Sequence, residues 1–227
     1  MLASTTYLRI YVAAPTPVPL GGLFKVFVDY GMQHVSGAHG STDLRSAMPR
    51  PYLSYFPALY PQSSLKEKAL ILEPTGNVAR EVEAGHPAVY EAVEKRSNYN
   101  PAPDHSSIAT FGPTRSVPLG DIALARSGDK GANVNIGLFV TSREVYTWFR
   151  AYMTRARMQE LMGDDWREQY FIERVEFPKL LAVHFVIYGV LGRGVSSTAS
   201  LDCLGKGFAD WIRSRSCDVP TRFLYNR

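Results

Sequence analysis

The sequence predicts an α+β fold: a sheet packed against helices, with an N-terminal strand-helix extension and a long central loop. Short runs of alternating apolar and polar residues mark half-buried strands, longer runs with apolar residues three and four apart mark helices, and the two kinds are interspersed along 227 residues. With 45% hydrophobic residues the chain can bury a real core. One decorated domain is expected over 1–227: an N-terminal extension at 1–73, a loop or lid at 74–116 and a motif-bearing core at 117–227.

Residues 7–13 alternate Leu8, Ile10 and Val12 against Tyr7, Arg9 and Tyr11, giving a first strand. From about 20 to 35, Leu23, Phe24, Phe27, Val28 and Met32 follow helical spacing. Gly37, Gly40, Thr42 and Asp43 mark a loop or a bent strand. The proline-punctuated run 52–60 suits an edge strand or an irregular pocket wall, in which Tyr52, Tyr55, Phe56 and Tyr60 either fill core or line an apolar cavity. Residues 68–73 make a short strand. Between 74 and 116, Pro87 opens a brief helix to Arg96, and the Pro-, Ser- and Asn-rich remainder is a long loop, either a lid or a linker.

The densest signal lies at 117–140, VPLGDIALARSGDKGANVNIGLFV. Ile122, Leu124 and Arg126 share one face of a strand, and Val134, Ile136, Leu138 and Val140 share one face of the next, leaving Asn133, Asn135 and Gly137 opposite. Between them RSGDKGAN is a polar turn, where Gly128 and Gly131 permit positive φ and Arg126, Asp129 and Lys130 bring opposite charges together. Either Asp and Lys satisfy each other in water, or consecutive N–H groups and the two cations form an anion site. The spacing is not that of a G-x-x-x-x-G-K-[ST] phosphate loop.

Beyond the hairpin, Thr141 and Glu144 stand at capping-box spacing, and Val145, Trp148, Phe149, Tyr152 and Ala156 stripe a helix over 142–161 that stops near Gly163. Residues 170–177 alternate as a strand. Pro178 opens a buried helix over 179–188, 197–201 is a strand, and Leu204, Phe208, Trp211 and Ile212 stripe a last helix with Asp202 as its N-cap. The order from 117 onward is β-β-α-β-α-β-α.

The run DIALARSGDKGANVNIGLFV resembles the signature of the AtuA-like (acyclic terpene utilisation) proteins, in their smaller C-terminal ferredoxin-like domain. There a strand ending in A-R-S-G-D-K-G leads into an N-I-G strand. Residues 180–208, LLAVHFVIYGVLGRGVSSTASLDCLGKGF, resemble that domain's second block, and STDLRSAMPRPYLSYFPALYPQSSL resembles the region before it in longer, fungal-type members. The resemblance implies a permuted or decorated ferredoxin-like sheet with helices on one face. The longer members also carry a large Gly-rich N-terminal domain for which 227 residues leave no room, so its activity does not carry over. His184 stands where the family pattern has Asn, and Arg193 stands in a turn that is otherwise glycine; both imply a repurposed pocket.

Charge and composition narrow the function. Lys and Arg number 25 against 21 Asp and Glu, a net +4 that suits an anionic small molecule, and no basic run interleaved with aromatics points to nucleic acid. Two cysteines, Cys203 and Cys217, make no disulfide framework and fit a reducing, cytoplasmic setting. The N-terminus lacks a basic n-region, and the apolar run 180–192 falls short of the roughly 20 residues a bilayer needs, so no membrane contact is expected. His34, His39, His86, His105 and His184 lack H-E-x-x-H spacing and the cysteines are unpaired in sequence, so no metal is expected. G-V-L-G-R-G at 189–194 does not open a helix after a strand and is no dinucleotide signature; Ser127 lacks a G-x-S-x-G context. No cofactor is expected.

Arg126 and His184 are the catalytic candidates, and Lys130, Asn133, Asn135, Arg193, Tyr52, Tyr55 and Phe56 the substrate-binding ones. If the two Gly-rich turns meet at one end of the sheet, Arg126, Lys130 and Arg193 converge on one carboxylate, with Lys206 as a fourth cation. His184 is either a buried histidine bonded to a carbonyl or a general acid or base in a dry pocket. The expected activity is a cofactor-free isomerase or cyclase, including a pericyclic closure of Diels-Alder type, acting on a hydrophobic terpenoid or polyketide-derived carboxylic acid in specialised metabolism. The alternatives are a non-catalytic protein-interaction module and an acyl-CoA hydratase or hydrolase. Self-association as a homo-oligomer is compatible with each.

Overall fold

The computed structural model describes residues 10–33, 48–54, 58–87, 89, 91–92, 94, 97–100 and 108–224. They fall into two compact units, 1–54 and 55–227. In the first, α1 (Val18–Tyr30) starts with a proline in its first turn, where the missing N–H costs nothing, and ends at Gly31, short of the expected 35. Of the expected first strand, residues 7–9 lie outside the described residues and 10–13 are not in a strand; the expected loop at 37–43 also lies outside them.

The second unit begins with an antiparallel hairpin, β1 (Lys68–Leu72) and β2 (Val78–Glu83), turned at 73–77. β2 corrects the reading of 74–116 as continuous loop: its VAREVE alternates, but its alternate positions are mixed in polarity, so the pattern is weak. The expected helix at 87–96 lies partly outside the described residues, and those described there are not helical. Ser97 to Asn100 runs along the free edge of the main sheet. Tyr99 N–H donates to the Arg174 carbonyl at 3.2 Å, and the Asn98 carboxamide accepts from Arg174 N–H at 2.8 Å and donates to the Ile172 carbonyl at 3.3 Å. A side-chain amide here does what a neighbouring strand would do.

The main sheet has four strands, β4 (Leu124–Lys130), β5 (Asn133–Phe139), β6 (Phe171–Phe177) and β7 (Ala182–Tyr188), in the order β4-β5-β7-β6 with every neighbour antiparallel. Two helices, α2 (Arg143–Tyr152) and α3 (Arg155–Met162), link β5 to β6, and α4 (Phe208–Ser214) follows β7. This is the ferredoxin-like β-α-β-β-α-β path with its last strand moved to the front, since α4 would otherwise lead on into the edge position that β4 fills. A second two-stranded ladder, β3 (Thr114–Pro118) with β8 (Ser216–Pro220), closes the unit.

Four expectations about elements are corrected. The polar run 126–130 is ladder-paired strand, not a loop; only Gly131 and Ala132 turn, with Gly131 at φ +64°. In an extended strand its N–H groups point alternately toward β5 and away from it, and so do not converge into an anion nest. The run 179–188 is a turn followed by the central strand β7, not a helix, because Val183, Phe185 and Ile187 alternate onto the core while His184 and Val186 are half-buried opposite, which leaves an apolar run without clear period. Thr154 splits the expected single helix: its hydroxyl accepts from Arg157 N–H at 3.1 Å and so starts α3 afresh. Residues 197–201 are irregular between two turns rather than a strand.

Smaller shifts follow the same logic. Ser142, not Thr141, caps α2, accepting from Val145 N–H at 3.2 Å. Asp202 caps the turn before α4, accepting from Lys206 N–H at 2.8 Å, while Gly207 takes the N-cap position. The apolar core joins Val134, Ile136 and Leu138 of β5 and Val183, Phe185 and Ile187 of β7 to Trp148, Phe149 and Met158 of the helices, with Ile212 of α4. At about 25 cal/mol per Å² such burial is the main stabilising force.

Candidate functional site

Because side chains alternate along each strand, the strand registers fix which residues share the face of the main sheet opposite its core helices. One row across it reads Arg126, Gly137, His184, Val175, and the next reads Gly128, Asn135, Val186, Glu173. Toward one end stand Leu124, Phe139, Ala182 and Phe177, and toward the other Phe171 beside Tyr188. The site is thus a polar centre with aromatic ends.

Two glycines make the centre. A Cβ on Gly137 would lie 3.8 Å from His184 Cδ2, so its absence leaves a shallow floor between Arg126 and His184. Above Gly128 the space is taken by the Lys206 ammonium, 2.9 Å from where a Cβ would be, with the Asn135 carboxamide oxygen 3.6 Å from the same point. Asn135 Nδ2 lies 3.3 Å from His184 Nε2, and the His184 ring meets Phe177 edge-on at 6.2 Å between centroids. If the amide donates, the imidazole proton sits on Nδ1. Arg126 is exposed and makes no ion pair or hydrogen bond among the described residues. The grouping can hold an anion at Arg126 and Lys206, present a proton-transferring imidazole beside it, and lay an apolar chain along the rings.

Lys206 reaches this face because the segment before α4 is pinned across β4. The buried Ser127 hydroxyl accepts from Ala209 N–H at 2.8 Å and donates to the Lys206 carbonyl at 3.3 Å. Ser127 is therefore an anchor between strand and helix. Gly205, at φ +59°, lies so close that a Cβ would come within 2.7 Å of Val134, which explains a glycine there.

The remaining candidates fall elsewhere. The two Gly-rich turns do meet, with Leu191 N–H bonded to the Ala132 carbonyl at 2.9 Å and Gly194 packed on Gly131. Arg126 is not at that meeting point: it lies two rows, about 13 Å along β4, from Lys130, whose ammonium turns back to the Asp129 carbonyl at 2.8 Å. Arg193 lies exposed in the 189–194 turn. Asn133 Oδ1 accepts from Gly189 N–H at 3.1 Å and so braces that turn. Tyr52 is exposed and belongs to the first unit, while Tyr55 and Phe56 lie outside the described residues. His184 sits on a strand and is half-buried.

Sequence reasoning passed over Arg174, which is fully buried. Its guanidinium donates to the Met153 carbonyl at 2.7 Å, the Arg150 carbonyl at 2.6 Å and Glu176 Oε1 at 2.8 Å, so it stoppers the carbonyl end of α2. Burial lowers its pKa from the ordinary guanidinium value, and Glu176 opposes that shift. The only signal was the pair Arg174 and Glu176, two apart in FIERVEF, which reads as a water-facing set. A separate cleft of about 290 Å³ is lined by Asn100, Arg155, Ala156, Gln159, Tyr170, Phe171 and Ile172. No cluster of three metal-ligating side chains occurs among the described residues, and no helix among them is long and apolar enough to cross a membrane.

Two family models match the chain: Acyclic terpene utilisation family protein AtuA over residues 2–71, and the AtuA ferredoxin-like domain over residues 117–218. No curated protein and no solved structure matches it. The second match ends within β8 and contains the whole four-stranded sheet with Arg126, Asn135, His184 and Lys206. By these two matches the chain is an AtuA-like protein, and its four-stranded sheet runs in the ferredoxin-like order.

Proposed function

We propose that the open sheet face binds a hydrophobic carboxylic acid, terpenoid or polyketide-derived, and isomerises or cyclises it. The observation that carries this reading is the row Arg126, Gly137, His184, with Asn135 against the imidazole and phenylalanines at the ends of the face. Arg126 takes the carboxylate through two parallel N–H donors, and Lys206 adds positive potential one row away. The chain then lies over Gly137 and along Phe139 and Phe177. In an isomerisation His184 removes a proton from an allylic carbon and returns it at the far end of the shifted double bond, leaving the formula unchanged. Such proton transfer contributes about 10²–10⁴-fold. A pericyclic closure uses the same face for orientation alone.

Titration calorimetry and mass-spectrometric turnover with a panel of hydrophobic acids test this. Arg126→Ala is expected to weaken binding about 10–100-fold with the thermal midpoint unchanged. His184→Ala is expected to keep binding and lose about 10²–10⁴-fold in turnover if a proton moves. Acids that bind Arg126→Ala as tightly as the wild type would sink the reading.

A second reading is a protein-interaction module. It is favoured by one observation, the five large apolar side chains exposed on this same face: Leu124, Phe139, Phe171, Phe177 and Tyr188.

A further inference from the structure

Strand β6 is turned the wrong way for a sheet face left in water. Ile172, Arg174 and Glu176 point to the helices, whereas Phe171, Val175 and Phe177 point to the open face. A buried guanidinium must be fully paired to be tolerated, yet Phe171 and Phe177 stay 55% and 43% exposed. That arrangement makes sense once the open face is covered as well.

The charges say by what. Arg126, Lys130 and Lys206 lie along the β4 edge of the face, and Glu173, which accepts from the Tyr188 hydroxyl at 3.2 Å, lies on the β6 edge. Consider two copies of the sheet facing each other about a two-fold axis parallel to the strands. The operation swaps the edges but keeps the rows, so Glu173 of the partner subunit comes over the row of Gly128, where the Lys206 ammonium sits. A two-fold across the strands would instead set β4 on β4 and oppose like charges. The face is self-complementary in the first arrangement and self-repelling in the second.

We infer that a second copy of this chain packs face to face on the open sheet, about a two-fold parallel to the strands, with Lys206 meeting Glu173 of the partner subunit. The inference deepens the proposed function and rests on it in one respect: an acid lying on an open sheet stays wet, and the partner's rings would close over Arg126 and His184 and exclude water. Four strands of seven residues span about 19 by 23 Å, less than the roughly 800 Å² per partner of a stable complex. The dimer is therefore concentration-dependent.

Sedimentation equilibrium of the ligand-free protein from about 1 to about 200 μM reads it directly. The wild type is expected to move from one to two chain masses across that range. Phe139→Glu is expected to hold it at one. Lys206→Glu and Glu173→Arg are each expected to weaken the dimer about 10-fold or more, and the two together to restore it to within about 3-fold of wild type. A wild type that stays monomeric, a dimer indifferent to Phe139→Glu, or a double variant no better than the singles each overturns the inference. Calorimetry with a C10–C15 hydrophobic acid on the same samples separates the two ideas. Dimerisation without acid binding leaves this inference standing and removes the proposed function, and acid binding by a strict monomer does the reverse.

Discussion

On the helix side of the main sheet, β5 and β7 present Val134, Ile136, Leu138, Val183, Phe185 and Ile187, all at 0% exposure. On the other side the same two strands present Asn135, Gly137, His184 and Val186, half-buried, between exposed rings at either end. One backbone thus carries a close-packed layer and a loosely covered polar one, and a change of one residue in register would exchange them. The contrast separates what keeps the chain folded from what lets the face select a ligand. Substitutions on the two sides should differ in which property they disturb.

The largest difference is expected between two phenylalanines. Phe185→Ala, on the helix side, should cost about 3–5 kcal/mol, because the cavity it leaves in the closed core collapses only in part. Phe177→Ala, on the open side, should cost about 1 kcal/mol or less. Urea denaturation of the two variants, at concentrations where the protein is monomeric, measures both; similar losses there would mean that the open face is packed within one chain and the contrast is false.

β6 breaks the rule that the helix side is apolar, and its ion pair tests how. Glu176 holds both Arg174 and Arg150 at 2.8 Å, and its side chain is 9% exposed. Glu176→Ala leaves the Arg174 charge buried with only two carbonyls for company, for an expected loss of about 3 kcal/mol. Glu176→Gln keeps a hydrogen-bond acceptor and should lose less. Equal losses would show that packing and not charge holds the strand.

That a hairpin spans 122–140 is legible from sequence because alternation in both arms and a glycine at the turn agree on one answer, although its polar run 126–130 reads as loop. β7 is not, since a strand buried fully on one face and half on the other loses its period, and a mostly apolar run of that length suits a helix equally. Arg174 is illegible for a related reason: its partners are carbonyls of α2 and a carboxylate two residues away, and only tertiary structure brings the helix end there. As for the site, Arg126, Asn135 and His184 are legible as residue types, but their grouping depends on register. The expected gathering of Arg126 with Lys130 assumed a loop, and a strand spaces those two residues out instead.

The helix side also carries the groups that titrate at high pH. Burial pushes the Cys217 thiol from 9.0 up to about 11 and the Tyr152 phenol from 10.0 up to about 12. Both are neutral when protonated, so the folded state holds these protons more tightly than the unfolded chain. Their contribution is complete below pH 9 and is lost as pH rises from 9 toward 12, by at most about 2–3 kcal/mol for each group. The melting temperature should therefore be flat near neutrality and fall above pH 9, and Cys217→Ala should move the onset toward pH 10. No polar-face substitution should shift that onset. A Cys217→Ala curve that still breaks at pH 9 would place the titrating group elsewhere.

The smallest effect on stability is expected where the two properties oppose each other. Gly137 is a mid-strand glycine at ordinary φ, and a methyl there would meet only His184 Cδ2, at a normal 3.8 Å. Gly137→Ala should stabilise the fold by about 0.5–1 kcal/mol, since alanine loses less backbone freedom on folding. The same methyl fills the floor between Arg126 and His184, where the acid is proposed to lie, so affinity should fall although both polar groups remain. A gain in melting temperature with a loss of acid binding would mean that the glycine is kept for the ligand at the fold's expense. Unchanged binding would move the ligand off this row, toward the Phe171 and Tyr188 end of the face.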